Sequence, residues 1–98
     1  MIGHMSTAST RQAATAAVCE VLGVPRQDWP LFYRWAAAPL NPKATDALHQ
    51  YVDVMIAERC RRSTDDLMST LIGLEVDGEE MTVDDIRNFV AELMAGAS

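Results

Sequence analysis

The last third of the chain, residues 64–98, carries two helix-start signals, each followed by apolar residues at helical spacing. Thr64 is a candidate N-cap, and the acidic residues directly after it suit the positive end of a helix dipole. Thr82, with Asp85 three residues later, has the spacing of a capping box and predicts the start of a second helix. Two successive start signals constrain this stretch to a pair of helices joined by a short connection.

The apolar residues after these signals follow the period of an α-helix. They are Leu67, Met68, Leu71, Ile72 and Leu74 in the first predicted helix, and Ile86, Phe89, Val90, Leu93 and Ala97 in the second. Residues 76–79 form a turn signal, in which Gly78 is free to take a positive φ. On the second helix, polar residues are predicted to lie on the opposite side: Asp84, Arg87, Asn88 and Glu92.

The earlier part of the sequence predicts three further helices with similar boundary signals. Gly23 suits the left-handed residue that ends a helix. Asn41 precedes Pro42, an arrangement typical of an N-cap followed by proline in the first turn. The predicted fold class is therefore all-α, a five-helix bundle with orthogonal packing and helices near residues 8–22, 28–39, 42–62, 64–74 and 82–97.

Helical spacing also predicts which side chains of the earlier helices face the core. In the first helix these are Ala14, Ala17, Val18, Val21 and Leu22. In the longest helix they are Leu48, Tyr51, Val52, Met55 and Ile56, with Asp46, Gln50, Asp53 and Glu58 facing water. The arginines near residue 60 are expected to suit the negative end of that helix dipole.

A single domain is predicted for residues 6–98, because a chain of 98 residues is short for two cores. Residues 1–5 resemble an expression remnant and are left out of this domain. The net charge of −6 offers no basic stripe for phosphates, so neither nucleic acid nor a membrane surface is an expected partner. No apolar run approaches the ~20 residues that span a bilayer. Two cysteines without a spaced motif predict a reducing, cytoplasmic setting.

No group of residues has the spacing of a metal site or a catalytic centre. His49 has a single carboxylate one helical turn away, which is too few ligands for a metal ion. Asp84 and Asp85 lie in the first turn of a predicted helix, where capping is expected instead of acid–base chemistry. Cys19 is expected to be a buried thiol and Cys60 a partly exposed one. We therefore predict no metal ligand and no catalytic residue in this chain.

Three strings, in their order along the chain, resemble one known family. The first is residues 18–25, VCEVLGVP. The second is a D-x-P-x-F-x-x-W pattern formed by Asp28, Pro30, Phe32 and Trp35. The third runs from the DDL at residues 65–67 through EVDGEEMT at residues 75–82 to Ala95-Gly96. Together they resemble the middle helices of bacterial cytochrome P-450 haem-thiolate monooxygenases, over about residues 12–98.

This resemblance implies an oxidoreductase family with haem as its cofactor. In that family a central helix crosses the haem face and a small Ala-Gly pair opens a groove for oxygen, a role that falls here on Ala95 and Gly96. The cysteine that ligates the haem iron lies in a loop after that helix, and this chain has no cysteine after Cys60. The resemblance thus implies a truncated member, with no haem predicted for this chain alone and no catalysis expected from it by itself.

An apolar ligand pocket is a second candidate site. In the family, the helix that begins near the D-x-P-x-F-x-x-W pattern roofs the substrate pocket. The matching candidates are Phe32, Trp35, Tyr51, Met55 and Leu93. The alternative is that these side chains are simply the core of a helical bundle, which helical spacing explains equally well.

A segment of a larger fold brings apolar faces that pack on something else in the parent structure. Exposed apolar area is an association site, and pairing with a second copy is one way to cover it. The leading prediction is therefore a self-associating helical module, a homodimer. The alternatives are a complementing fragment, completed by a haem-bearing partner chain, and a module that binds a small apolar ligand.

Overall fold

The computed structural model describes the backbone of residues 7–96 and the side chains of residues 12–96. Within this range lie five α-helices, one short 3-10 helix and one small hairpin, so the predicted all-α class is confirmed. The elements are α1 (Thr7–Leu22), the 3-10 helix (Arg26–Asp28), α2 (Trp29–Ala36), α3 (Pro42–Arg61), α4 (Leu67–Gly73), β1 (Glu75–Val76), β2 (Glu79–Glu80) and α5 (Val83–Gly96). The predictions for residues 1–5 and for Ala97 lie outside the described residues.

The longest helix, α3, is at the centre of the packing, because it contacts α2, α4 and α5. α1 lies against α2, α4 and α5, so every helix shares one core. Buried apolar side chains from all five helices fill that core: Cys19, Leu22, Val24, Phe32, Leu48, Val52, Met55, Ile56, Met68, Leu71, Ile86, Val90 and Met94. The predicted inward stripe of α3 is confirmed, with Tyr51 half-buried at its margin.

Two helix starts have the caps that the sequence predicts. The Asn41 side chain accepts hydrogen bonds from the backbone N–H of Lys43, at 2.9 Å, and of Ala44, at 3.3 Å. At the start of α5, the Thr82 hydroxyl accepts from Asp85 N–H at 3.1 Å, and the Asp85 carboxylate accepts from Thr82 N–H at 3.0 Å. Each satisfies backbone donors that have no partner inside the helix.

The bounds of α2 and α4 differ from the prediction. α4 begins at Leu67, and its cap is Asp66, whose carboxylate accepts from Ser69 N–H at 3.0 Å. The Thr64 hydroxyl donates to that same carboxylate at 2.6 Å, so it supports the cap and does not form it. α2 ends at Ala36 and not at residue 39, since the residue before a proline disfavours helical geometry and Pro39 follows.

The connection between α4 and α5 is a small antiparallel hairpin, which the sequence predicts only as a turn. Glu75 pairs with Glu80 and Val76 with Glu79. The two turn residues both have positive φ, 55° at Asp77 and 83° at Gly78, as in the type I′ turn that favours hairpins. Two-residue strands rich in glutamate have little intrinsic strand propensity, which explains why sequence pattern does not indicate them.

The inward face of α1 agrees with the prediction only in part, because Leu22 is buried and Val18 packs against the core, while Ala17 is exposed. Thr15, Cys19 and Leu22 are buried, whereas Val21 is 56% exposed. These three buried residues recur four and three positions apart, so they form one stripe. The faces of an alanine-rich helix differ little in hydrophobicity. Here the packing against α2, α4 and α5 decides which face turns inward.

Gly23 ends α1 in the left-handed conformation, with φ at 89°, as the sequence predicts. Its carbonyl accepts a hydrogen bond from Arg59 Nη2 at 3.1 Å. A Cβ atom at this position would lie 2.2 Å from Asp66 Oδ2, so the α3–α4 connection leaves no space for a side chain. Both the backbone conformation and the close approach therefore require glycine.

We expect Gly23→Ala to destabilise the protein by at least about 1–2 kcal/mol, the cost of the left-handed conformation for a residue with a Cβ. The matched control is Gly73→Ala, because Gly73 is the last residue of α4 and a Cβ there meets no atom within 4 Å. Urea unfolding followed by far-UV circular dichroism measures both. Equal unfolding free energies for the two variants would contradict the prediction.

Candidate functional site

The two residues assigned to the oxygen groove lie at the end of α5. Ala95 and Gly96 are both exposed. A Cβ added at Gly96 would meet no heavy atom within 4 Å, so the described residues leave open space there. Ala95 lines a cavity of about 80 Å³, and Ala91, one turn earlier on the same helix, lines it too.

This cavity, which we call the α5 cavity, is lined by side chains from α2, α3, α5 and the α2–α3 connection. The lining is Trp35, Ala36, Ala38, Pro39, Ala44, Thr45, Leu48, Ala91, Met94 and Ala95. All but Thr45 are apolar, and half are alanine. At about 80 Å³ this cavity is smaller than the roughly 300–1,000 Å³ of ordinary ligand pockets.

Three of the five predicted pocket residues form an aromatic cluster. The centroid of the Phe32 ring lies 5.1 Å from that of Trp35 and 5.2 Å from that of Tyr51. The ring centroids of Trp35 and Tyr51 are 5.9 Å apart. The contact between Phe32 and Tyr51 is edge-to-face, an arrangement that aromatic pairs favour. Phe32 is fully buried, so this cluster joins α2 to α3 in the core.

The five residues line no single cavity together. Trp35 lines the α5 cavity. Tyr51 and Met55 lie along a separate, open groove between the ends of α1 and α3. Leu93 is half-buried against the core. A ligand pocket made from all five residues therefore stays a prediction, and the structure places their shared contacts in the core.

Tyr51 is held by a hydrogen bond that the sequence does not predict. Its hydroxyl donates to Asp28 Oδ2 at 2.5 Å. Burial raises the pKa of the Tyr51 phenol, and the Asp28 carboxylate raises it further because it stabilises the protonated form. The neutral phenol thus fixes the start of α2 against α3, while Asp28 makes no side-chain cap bond to the helix that it precedes.

The most buried ion pair in the described chain joins Arg59 to Asp66. Arg59 Nη2 lies 2.9 Å from Asp66 Oδ2, and the two side chains are only 10% and 11% exposed. Arg59 also donates to the carbonyls of Gly23 and Met55. Burial acts to raise the pKa of Asp66, but hydrogen bonds from Arg59, Thr64 and Ser69 outweigh it and lower that pKa to about 2.

Sequence reasoning missed this pair, although a signal for it exists. Arg59 follows Val52, Met55 and Ile56 at helical spacing, so it continues their inward stripe. A charged residue on an apolar stripe must find a partner, because an unpaired buried charge is costly. Arg59 does lie in the last turn of α3, as predicted, and what sequence reasoning missed is its buried partner, Asp66.

A second ion pair joins α3 to α5. Arg87 Nε donates to Asp53 Oδ1 at 2.8 Å, and Asp84 accepts a further hydrogen bond from Arg87 at 3.2 Å. The hydrogen bond from Arg87 holds the pKa of Asp53 below its ordinary value. Both residues were predicted to face water, whereas the structure shows them half-buried between the two helices.

The two thiols lie in opposite environments, as predicted. Cys19 is fully buried, and burial raises the pKa of its thiol to about 11. Cys60 is exposed near the end of α3. Neither lines the α5 cavity. Among residues 7–96 there is no group of three potential metal-ligating side chains, and no helix in that range is both long and apolar enough to cross a bilayer.

Acid should weaken the protein partly through Asp66. Because the folded-state pKa lies below the ordinary value of 3.8, the ionised carboxylate stabilises the fold above that value, and the effect is lost as pH falls through about 2. The shift corresponds to about 2 kcal/mol. We expect the gap in unfolding free energy between the unchanged protein and Asp66→Asn to shrink by that amount between pH 6 and pH 2. Asp46→Asn removes a carboxylate at an exposed position and is the matched control. A pH-independent gap for Asp66→Asn would count against the pair.

The thiols should differ sharply in reactivity. We expect a maleimide to label Cys60 rapidly in the folded protein and Cys19 on the order of 100-fold more slowly, since labelling of a buried thiol needs local opening. Mass spectrometry of Cys60→Ser isolates Cys19, and the same variant in urea gives its unprotected rate. Rapid labelling of folded Cys60→Ser would show that Cys19 is not enclosed.

Comparison with known proteins gives partial matches to three named enzymes, while no family model matches the chain. The mycinamicin IV hydroxylase/epoxidase of Micromonospora griseorubida is 32% identical over 86% of this chain and 28% of its own length. A steroid C26-monooxygenase of Mycolicibacterium smegmatis is 32% identical over 79% of this chain and 21% of its length. The cyclomarin C epoxidase of Salinispora arenicola is 33% identical over 76% of this chain and 23% of its own length.

The matched proteins agree with the family that the sequence strings indicate, since all three are cytochrome P450 monooxygenases. The chain spans roughly a quarter of the length of these relatives. The all-α architecture and the order of the strings along it fit the same assignment. This chain therefore belongs to the cytochrome P450 monooxygenase family, and it matches a helical segment of the family's members.

Proposed function

We propose that this chain forms the substrate-side helices of a haem-dependent monooxygenase. One observation carries the proposal: Trp35 of α2 and Ala95 of α5 line the same cavity. The resemblance assigns Trp35 to the helix over the substrate and Ala95 to the oxygen groove. These two assignments come from strings that lie 60 positions apart in the chain, and the fold brings them together.

The described thiols do not fit the role of haem ligand, so we propose that this chain alone does not catalyse. The iron ligand in this family is a thiolate, and the Cys19 side chain is fully buried in the core, where the packed helices enclose it. Cys60 is exposed at the far end of α3 from Leu48, which lines the α5 cavity. When haem is bound in a complete enzyme it supplies oxygen activation, and the residues described here supply apolar walls.

For the complete enzyme we propose hydroxylation or epoxidation of a large apolar substrate. The relatives described above are a hydroxylase/epoxidase, a second epoxidase and a steroid monooxygenase. Nine of the ten side chains around the α5 cavity are apolar, which suits a substrate of that kind. Haem is accordingly the proposed cofactor of the complete enzyme.

We also propose that the chain by itself pairs with a second copy, in the cytoplasm. Several large apolar side chains are exposed: Val21, Leu40, Val54, Leu74, Val76 and Val83. Covering such side chains favours association. Two free cysteines, one of them exposed, suit a reducing compartment.

A second candidate is a complementing fragment, in which a haem-bearing partner chain supplies the thiolate. The exposure of Ala95 and Gly96 favours it, because no heavy atom of the described residues lies within 4 Å of a Cβ added at Gly96. A partner surface could therefore approach this end directly. Recovery of a haem protein with the tagged chain from its host would support this candidate.

Size-exclusion chromatography with light scattering, recorded at protein and haem wavelengths with and without added haemin, tests the proposal. We expect a colourless species of defined mass and no thiolate-type Soret band. Cys60→Ser is the control, because haemin bound only through the exposed thiol would be lost in that variant. Stoichiometric haem with a thiolate-type spectrum in both proteins would overturn the proposal that this chain lacks a haem ligand.

A further inference from the structure

The walls of the α5 cavity combine small apolar side chains with two groups that can donate a hydrogen bond. Five of the ten lining residues are alanine, and none of the ten is charged. The two donors are the indole N–H of Trp35, on α2, and the hydroxyl of Thr45, on α3. Both residues are half-buried. Two neighbouring helices thus each contribute one side-chain donor to the apolar lining.

The two tryptophans of the chain differ in how their indole N–H groups are bonded. Trp29 Nε1 donates to the Val24 carbonyl at 2.8 Å. The Trp35 ring contacts the rings of Phe32 and Tyr51, but its N–H donates to no acceptor among the described residues. A tryptophan N–H usually finds a partner when the ring packs in a protein interior. The Trp35 N–H is thus free to donate to a molecule in the cavity.

The backbone donors beside Thr45 are already engaged, whereas its hydroxyl is not. Lys43 N–H and Ala44 N–H donate to the Asn41 side chain, at 2.9 Å and 3.3 Å. Thr45 N–H donates to the Asn41 carbonyl at 3.0 Å. Within the part of the chain that the structure describes, the Thr45 hydroxyl forms no hydrogen bond. This hydroxyl is therefore the polar group that the start of α3 can offer to a molecule in the cavity.

The polarity of the lining predicts the kind of molecule that fits. Water satisfies a donor that reaches the surface, and an apolar molecule that covers the donor displaces this water. A hydrocarbon leaves the donor unpaired, which costs free energy, whereas a carbonyl oxygen has two lone pairs and can accept from two donors. A charged group would find no opposite charge among the lining residues. A small apolar molecule with one neutral carbonyl oxygen therefore matches the lining.

We propose that the α5 cavity binds a small apolar group with one carbonyl oxygen, and that Trp35 and Thr45 both donate to this oxygen. At about 80 Å³, the cavity has space for a group of the size of a small ring and not for a whole drug-sized ligand. In the complete enzyme this group is one end of the substrate. The inference rests on the proposed substrate-side role of the chain, and it specifies the chemical group at one end of that substrate.

Cyclopentanone and cyclopentene provide the test, because they are similar in size and only the ketone has an acceptor oxygen. Titrations followed by two-dimensional NMR give the dissociation constant of each probe for the unchanged protein, for Trp35→Phe and for Thr45→Val. We expect each substitution to weaken cyclopentanone binding about 3- to 10-fold, the value of one hydrogen bond, and to change cyclopentene binding by less than about 2-fold. Comparing variants for the same probe cancels the difference in hydration between the two probes.

Two control variants complete the experiment. Trp29→Phe removes an indole N–H that lies outside the cavity, so it should leave both dissociation constants unchanged. Ala91→Leu adds a large side chain to the cavity wall, so it should abolish the binding of both probes. Circular dichroism checks that every variant keeps its helix content.

The outcomes separate this inference from the proposed function. Cyclopentanone binding that neither Trp35→Phe nor Thr45→Val weakens overturns the role of the two donors and leaves the proposed function standing. Failure of both probes to bind the unchanged protein overturns the α5 cavity as a ligand site. The haemin titration tests the proposed function separately in either case.

Discussion

The Arg59–Asp66 ion pair is the interaction on which the arrangement of the helices depends. Its guanidinium group lies where the end of α1 and the start of α4 meet α3, and it donates to a carbonyl of α1's terminal glycine as well as to the cap of α4. A charge this buried needs full compensation, so the three chain segments must be present together. Gly23 makes the approach sterically feasible because it has no Cβ.

Further polar ties fix the other neighbours of α3. Tyr51 binds Asp28 at the start of α2, and Asp53 binds Arg87 on α5. α3 is therefore held to α1, α2, α4 and α5 by hydrogen bonds as well as by apolar packing. With these contacts in place, the aromatic cluster lies between α2 and α3, and the α5 cavity lies where α2, α3 and α5 converge.

The family membership and the chemistry of the thiols concern different features of this chain. The described helices form a small apolar cavity beside Ala95. The thiol of Cys19 is fully buried in the core shared by the helices, and burial raises its pKa to about 11.

The sequence by itself determined the helical class and the boundaries that depend on near neighbours. Caps at Asn41 and Thr82, and positive φ at Gly23 and Gly78, follow from interactions within about one helical turn. The sequence also indicated the family, because the three matching strings are recognised without knowledge of the fold. The bonds from Tyr51 to Asp28 and from Arg87 to Asp53 join residues 23 and 34 positions apart, and no local pattern marks such partners. Only the tertiary structure decided the outward position of Val21 on α1, the pairing of Arg59 with Asp66 and the meeting of Trp35 with Ala95, because packing between helices selects them.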